Sequence, residues 1–512
     1  MRKVFWAVCC AFTLIFSVSA VAQNNHGVCG THPDASIEMT IKAKAMIENG
    51  YVAPRGVVTY VPVKYHLVAR TNGTGRVKET DVYKMHCHLN EVYEDQEIQF
   101  FLKDGEFNYI NNNTVYDNHV GTQGTIMNFN KDDEAMNVFI VDDATPAGGG
   151  QSPGTVLGYY SPQRDWIVMR IDQVNSNSQT LPHEAGHFFG LPHPFRGYEP
   201  DPFDNPDAGW PIAPVVSPNG STPTELQDGS NCSTAGDFIC DTPPDYNFGL
   251  INGTSCVYSG GAKDPNGVTV NPDETLIMSY FNDNCVNKFS DDQKDIVAAN
   301  LASTDRNFLD NSYSPPAQTV SNDLVPIYPQ NMASIPVFDN ELNIDWEDMD
   351  GATSYVFEIA TNQFFSDVET HIVNESYVEL TGIERLKTYY WRVKAFNWTN
   401  TCAASIASAT MRFTTDKVMN TNKIDFVSYY NVFPNPANTS SGVNLYLNSK
   451  QSFTGTINLY NLTGQLSYQM KHNFQPGGNA VRLEGLQLEQ GVYMIRVQTD
   501  YGILSSKVVI NN

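Results

Sequence analysis

The sequence predicts a multidomain chain in which an α+β domain is followed by two all-β sandwich modules. Three observations carry this. At 512 residues the chain exceeds what a single hydrophobic core serves. Hydrophobic residues make up 41% and charged residues 17%, the balance of a globular rather than a disordered chain. The hydrophobic periodicity also changes along the chain: helical and alternating runs mix up to about residue 312, and only alternating runs follow.

Residues 1–22 read as a signal peptide. Arg2 and Lys3 precede an apolar run from Phe5 to Val18, and Ala20-Val21-Ala22 is a small-residue cleavage site. A membrane anchor is the competing reading, but the run is short and lacks a stop-transfer flank. No later segment is long and apolar enough to span a bilayer. Export implies a compartment where disulfides persist. Cleavage removes Cys9 and Cys10, leaving Cys29, Cys87, Cys232, Cys240, Cys256, Cys285 and Cys402.

Residues 23–55 form a polar preamble with one helix, Ile37 to Ile47, ending at Asn49-Gly50. A domain spanning 56–312 follows. Val57 to Ala69 reads as a strand and Asn72-Gly73 as a turn. Val82, Met85, Leu89, Val92 and Tyr93 share one helix face. Glu97 to Leu102, Ala135 to Val141, Thr155 to Tyr160 and Asp165 to Ile171 are further strands. Ser290-Asp291-Asp292-Gln293 is a capping box opening the domain's last helix. Asn311 to Asp323, with Pro315-Pro316, is a linker. Short alternating runs fill 324–415, including Leu342 to Trp346, Tyr355 to Ala360 and Tyr389 to Phe396. After a break at 416–428, residues 429–512 form a second β unit, with turns at Asn435-Pro436, Thr463-Gly464, Gly477-Gly478 and Gln490-Gly491.

The formal charge is -25, from 31 basic and 56 acidic residues. Nucleic-acid binding needs a basic footprint, so that class of partner is excluded.

Residues 183–193 read His-Glu-Ala-Gly-His-Phe-Phe-Gly-Leu-Pro-His. On a helix His183 and His187 are one turn apart and project from one face, so two imidazoles can hold one zinc ion. Gly190 allows a sharp turn, and His193 returns as the third ligand. Three neutral imidazoles leave a fourth position open for water or a carbonyl oxygen. Glu184, beside the first ligand, is suited to take a proton from that water and pass it to a leaving amine. Chance gives the first five-residue pattern in roughly 1% of such chains, and the glycine and third histidine bring this to about one in 10⁴ to 10⁵.

These residues are the long zinc signature of the metzincins, which is paired with a downstream Met-turn. Leu276-Ile277-Met278-Ser279-Tyr280 is the candidate turn: Met278 would floor the zinc site, or else pack as an ordinary core residue, and Tyr280 could reach the metal or the oxyanion. Within the metzincins the chain resembles the pappalysin family. The resembling segments are Leu181 to Phe195, Asp228 to Cys232, Gly236 to Pro244 and Ile277 to Ser290, and the resemblance spans roughly 57–305. It implies a metzincin-like (zincin) catalytic domain, a secreted zinc metalloendopeptidase acting on proteins or peptides, and a substrate extended along an edge strand, here Thr155 to Tyr160. Relatives favouring a basic residue after the cut carry an acid near the Met-turn cysteine. Here Asp283 and Asn284 precede Cys285, and Asn284 departs from that pattern.

The resemblance also implies two disulfides, Cys256–Cys285 and Cys232–Cys240. Spacing alone leaves three pairings open, and a second zinc site besides. Cys29, in Cys29-Gly30-Thr31, is either an incidental thiol or, as in some family members, a propeptide cysteine that blocks the zinc and keeps a zymogen latent. Activation would then cut near Pro54-Arg55-Gly56. Cys87 lies between His86 and His88, whose side chains diverge on a helix, so the trio reads as structural. Asp201, Asp204 and Asp207 could bind calcium, with Asp228 and Asp237 as further candidates. Clustered loop carboxylates can equally be just solvated.

Residues 324–415 resemble a fibronectin type III domain through Trp346, Tyr355 and the run Leu386, Tyr389, Trp391 and Val393. That resemblance implies core aromatics and a spacer role. Residues 429–512 resemble the C-terminal sorting domain of the type IX (Por) secretion system, through Val432 to Pro436, Ile457 to Gly464, Gly491 to Val497 and Lys507 to Ile510. That implies the type IX machinery as a partner and a destination at the outer-membrane surface or outside the cell. The competing functions are a cell-surface adhesin or glycan-binding protein with an idle metal-binding domain, and an acidic calcium-dependent structural protein.

Overall fold

The computed structural model describes residues 28–147, 155–199, 202–203, 212–310, 312–336, 340–416, 424, 426–438, 442–483 and 485–511. The expected signal peptide and the candidate calcium residues Asp201, Asp204 and Asp207 lie outside them.

The first unit is a seven-stranded sheet with helices on it. In chain order its elements are β1 (Val28–Cys29), α1 (Ile37–Glu48), β2 (Thr59–Ala69), α2 (Glu79–Val92), β3 (Ile98–Leu102) and β4 (Asn108–Asn111). They continue with α3 (Asn113–Asn118), α4 (Asn128–Asn130), β5 (Met136–Val141), β6 (Val156–Ser161), β7 (Trp166–Arg170), α5 (Thr180–Phe188) and α6 (Asp291–Leu301). The strand order is β1-β6-β7-β5-β2-β3, with β4 also paired to β2. All pairings are parallel except β6 with β7. The central strands are buried on both faces, which is why β5, apart from the buried Asn137, reads as an apolar run rather than an alternation. Val82, Met85, Leu89 and Tyr93 of the predicted α2 face are fully buried, whereas Val92 is only half-buried.

Among the described residues between α5 and α6, regular structure is limited to one short helical turn, Phe248–Leu250. Disulfides Cys232–Cys240 and Cys256–Cys285 tie this part down. The capping box at α6 is complete, with both Ser290–Gln293 hydrogen bonds formed.

Beyond the sheet lie two β units with separate cores. One pairs strands 326–328, 341–346 and 377–381 in one sheet, and 333–336, 354–360, 369–373, 388–396 and 411–416 in the other. Trp346, Phe357 and Trp391 fill its centre. Leu386 departs from the sequence expectation. It sits at φ 58° with 62% of its surface exposed, and Ile383 is buried in the core instead. The last unit stacks a three-stranded and a five-stranded sheet around Leu445, Ile457, Leu459, Ile495 and Val508.

The middle unit is no free spacer. Cys87 on α2 is bonded to Cys402, 315 residues away. Around this bond Tyr83 packs on Phe396 at 4.5 Å, the Leu102 amide donates to the Trp398 carbonyl, and the Thr401 hydroxyl donates to the Tyr83 carbonyl. Tyr313, in the expected linker, stacks on Phe101 at 4.3 Å. Among the described residues no helix is long and apolar enough to cross a membrane.

Candidate active site

Helix α5 carries His183, Glu184 and His187 on adjacent turns, and every one of its residues is buried. The chain then reverses at Gly190, whose φ of 88° belongs to the left-handed region that favours glycine. A side chain there would collide with Asn300, which donates to the Phe189 carbonyl at 2.7 Å, and would crowd Met39. The reversal brings His193 back to the helix. His193 Nε2 lies 3.2 Å from His183 Nε2 and 3.1 Å from His187 Nε2.

The opposite ring nitrogens fix the tautomers. His183 Nδ1 is 2.8 Å from the Ile277 carbonyl and His187 Nδ1 is 2.7 Å from the Leu191 carbonyl. A carbonyl only accepts, so each Nδ1 carries the proton and each Nε2 presents a lone pair. Burial lowers the pKa of all three imidazoles, that of His183 to about 4. Converging neutral imidazole nitrogens repel one another unless a cation sits among them. The donor set therefore fits a borderline metal such as zinc, with the three Nε2 atoms as ligands.

Cys29 brings its Sγ to 3.5 Å from His187 Nε2, and its thiol and the three Nε2 atoms all lie within 4.8 Å of one another. Cys29 is free, as an odd cysteine count requires. Burial, then the charge of Glu184, pushes its thiol pKa up. β1 holds it there by pairing parallel with β6: Val28 N–H donates to the Thr155 carbonyl and Gly30 N–H to the Gly158 carbonyl.

Burial pushes the Glu184 carboxyl up to about 7. Its Oε2 accepts from the Thr31 hydroxyl at 2.9 Å, and its Oε1 has no partner. Thr31 Oγ1 in turn accepts the Tyr160 N–H at 2.7 Å, and the Thr31 N–H faces the Cys29 sulfur at 3.3 Å.

Met278 is fully buried beneath α5, its sulfur where a side chain at position 186 would lie, so Gly186 lets the two segments touch. The Tyr280 hydroxyl donates to the Cys29 carbonyl at 3.1 Å, and its ring stands edge-on to His193 at 5.1 Å. The turn is braced by Asp245, whose Oδ2 accepts from Ser279 at 2.6 Å.

A cavity of about 570 Å³ opens beside His183 and Glu184, its lining including Leu157, Arg170, Asp172, Thr180, Tyr280 and Asp283. Asp172 is paired with Arg170 at 2.6 Å. Asp283 lies at the start of α5 and accepts the Gln179 N–H. Elsewhere, burial and then the charge of Asp237 push the Glu225 carboxyl up, while burial, with the charge of Asp241 adding to it, pushes Asp237 up. Glu225 Oε2 has no partner, while Thr242 Oγ1 and the Ile239 N–H donate to Asp237. Asp228, by contrast, is exposed.

Thr31, Asp245 and Glu199 join the site without a sequence signal. Glu199 stands 3.6 Å from His193 Nδ1, and burial raises it to about 7. Only Thr31 had a neighbour, Cys29, that pointed to it.

Residues 431–511 match the secretion system C-terminal sorting domain. This address marks the chain for type IX export, to the cell surface or beyond it. The chain is 26% identical over 295 residues to an extracellular metalloprotease of Colletotrichum graminicola, covering 54% of this chain and 89% of that one. It is 24% identical over 292 residues to an extracellular metalloprotease of Neurospora crassa, covering 52% and 85%. Among solved structures, a mutant of Tannerella forsythia promirolysin matches with TM-score 0.35 and 15% identity, over 53% of this chain and 90% of that one.

Proposed function

We propose that this exported chain, similar over about half its length to extracellular metalloproteases, is a pappalysin-like zinc endopeptidase synthesised as a latent proenzyme. The observation that carries it is the convergence of three buried Nε2 atoms, those of His183 and His187 left with lone pairs by their Nδ1 contacts, beside the Glu184 carboxyl. Zinc, held by His183, His187 and His193, supplies Lewis acidity and lowers the pKa of water when bound.

The chain's own residues do the rest. β6 is the free edge once β1 leaves, and its backbone groups can pair with an extended substrate. Glu184 takes a proton from the attacking water and delivers it to the leaving amine nitrogen; a carboxyl raised to about 7 suits both tasks near neutral pH. Tyr280 aims a hydroxyl donor at a carbonyl oxygen, now that of Cys29, and would do so for the carbonyl under attack. Residues 23–55 act as a propeptide, with Cys29 as the group that fills the open metal position. The unpartnered Glu225 oxygen beside Asp237 fits a hard cation such as calcium, with a structural role.

The test compares activated wild type with Glu184→Ala. The variant is expected to keep one zinc per chain by elemental analysis and to lose casein and gelatin cleavage by at least about 10³-fold. Undiminished cleavage by the variant overturns the assignment. Wild-type zinc binding with no cleavage of either protein favours the idle-domain alternative.

A further inference from the structure

We propose that Arg55–Gly56 is the processing bond of the proenzyme, and that Glu97 is a preformed socket for the α-ammonium group its cleavage creates. This rests on residues 23–55 being a propeptide.

The Gly56 backbone nitrogen donates to both carboxylate oxygens of Glu97, each at 2.8 Å. One residue, Glu97, therefore grips the chain twice, because its own carbonyl accepts the Thr59 N–H at 2.8 Å where β2 begins. Glu97 holds this pose at φ 55°, in the left-handed region, immediately before β3. A single amide N–H between two carboxylate oxygens uses only part of their capacity. An ammonium at the same point has three donors and a full positive charge.

The chain on the other side of Gly56 is built differently. Tyr51 is tied down, its hydroxyl donating to the Ala298 carbonyl on α6. Between Tyr51 and Gly56, among the described residues, residues 52–55 make no hydrogen bond or ion pair. Val52, Pro54, Arg55, Gly56 and Val57 are exposed, and the stretch has no regular structure. Such a span between two anchored points is where a peptidase can draw backbone into its cleft. Arg55 supplies a side chain that peptidases cutting after arginine recognise.

Hydrolysis there consumes one water. The Arg55 carbonyl carbon gains the oxygen and becomes a carboxylate, the C–N bond breaks, and the Gly56 nitrogen gains protons to become an ammonium. The new cation needs no search, because its nitrogen already lies at the carboxylate. The freed carboxylate of Arg55 is repelled by Glu97, so the cut ends separate and religation is disfavoured. β3 is the sheet edge opposite β1 and its neighbour β6, so the socket acts on the start of β2 and not on the proposed catalytic residues.

The test uses the proenzyme in the Glu184→Ala background, so that self-cleavage plays no part, with trypsin at limiting ratio. The expected mature N-terminus is Gly56-Val57-Val58-Thr59; a stable mature chain beginning elsewhere overturns the proposal. The α-amine of the mature chain is then dimethylated with formaldehyde and cyanoborohydride near neutral pH and followed by mass spectrometry. An exposed ion pair should slow this about two- to fivefold against the E97Q chain, and 1 M salt should erase the difference. Equal rates at low salt overturn the socket. If E97Q does not fold, the salt dependence of the parent chain alone decides in the same way. Neither readout uses peptidase activity, so loss of the proposed function would leave this result standing, and the reverse.

Discussion

Thr31 donates its hydroxyl to the Glu184 carboxylate across 2.9 Å while the same oxygen accepts the Tyr160 N–H across 2.7 Å. One side chain thus caps the candidate base and occupies a backbone donor of the edge strand that a substrate would need. This contact is made by the Thr31 hydroxyl, whereas the Cys29 sulfur meets the Thr31 backbone N–H. A proenzyme with Cys29→Ser should therefore stay partly latent, and adding Thr31→Val should raise its residual peptide cleavage by about tenfold or more, since a hydrogen bond to a charged group is worth about 1.5–3 kcal/mol. Equal residual rates in the single and double variants would sink the idea.

The Cys87–Cys402 bond joins α2 to the middle β unit at a contact that also buries Tyr83 against Phe396. Closing so long a loop restricts the unfolded chain strongly. Replacing both cysteines by alanine should cost about 2–4 kcal/mol in urea unfolding and expose residues 312–323 to faster proteolysis. An unchanged midpoint together with an unchanged cutting rate would mean that the noncovalent contacts alone hold the unit.

That bond also marks the limit of what the sequence discloses. His183 and His187 were legible because a helix repeats every 3.6 residues, and Gly190 and His193 because a ligand set needs a turn of fixed length. Met278 was legible only through its family pattern. Cys87 and Cys402 carry no local signal, since what joins them is the packing of two units and not spacing. Thr31 lay beside a recognised cysteine, yet its role depends on a parallel β1–β6 register that no local pattern encodes. Leu386 fitted a motif by spacing alone. A left-handed backbone conformation turned it to solvent, and Ile383 is buried in its stead.

Gly190 and Gly50 have similar backbone angles, φ 88° and 96°, in opposite surroundings. Around Gly50 the space is open, whereas at Gly190 a side chain meets Asn300 and Met39. Gly50→Ala should therefore cost only the strain of a left-handed alanine, about 1 kcal/mol. Gly190→Ala adds the loss of the buried Asn300 bond to the Phe189 carbonyl and should cost about 2–4 kcal/mol, with weakened zinc binding as His193 shifts. Thermal unfolding and zinc titration of the two variants check this, and equal losses would show that the packing around Gly190 is loose.

Asp245 offers a pH test away from the proposed zinc ligands. Burial pushes its carboxyl up to about 6, from an ordinary 3.8, although Ser279 and the Phe248 N–H donate to it. Between those values the native state keeps a proton that the unfolded chain has released. Folding stability from this group is therefore full below about pH 4 and is lost as pH rises through 6. In Asp245→Asn no proton exchanges, and the amide can still accept from Phe248 and donate to Ser279. With metal removed by chelation, the stability of wild type relative to this variant should fall by up to about 3 kcal/mol between pH 4 and pH 7. Urea midpoints at the two pH values measure it. A gap that stays flat would mean that Ser279 and Phe248 compensate the burial in full, and that the turn carrying Met278 and Tyr280 rests on an ionised brace.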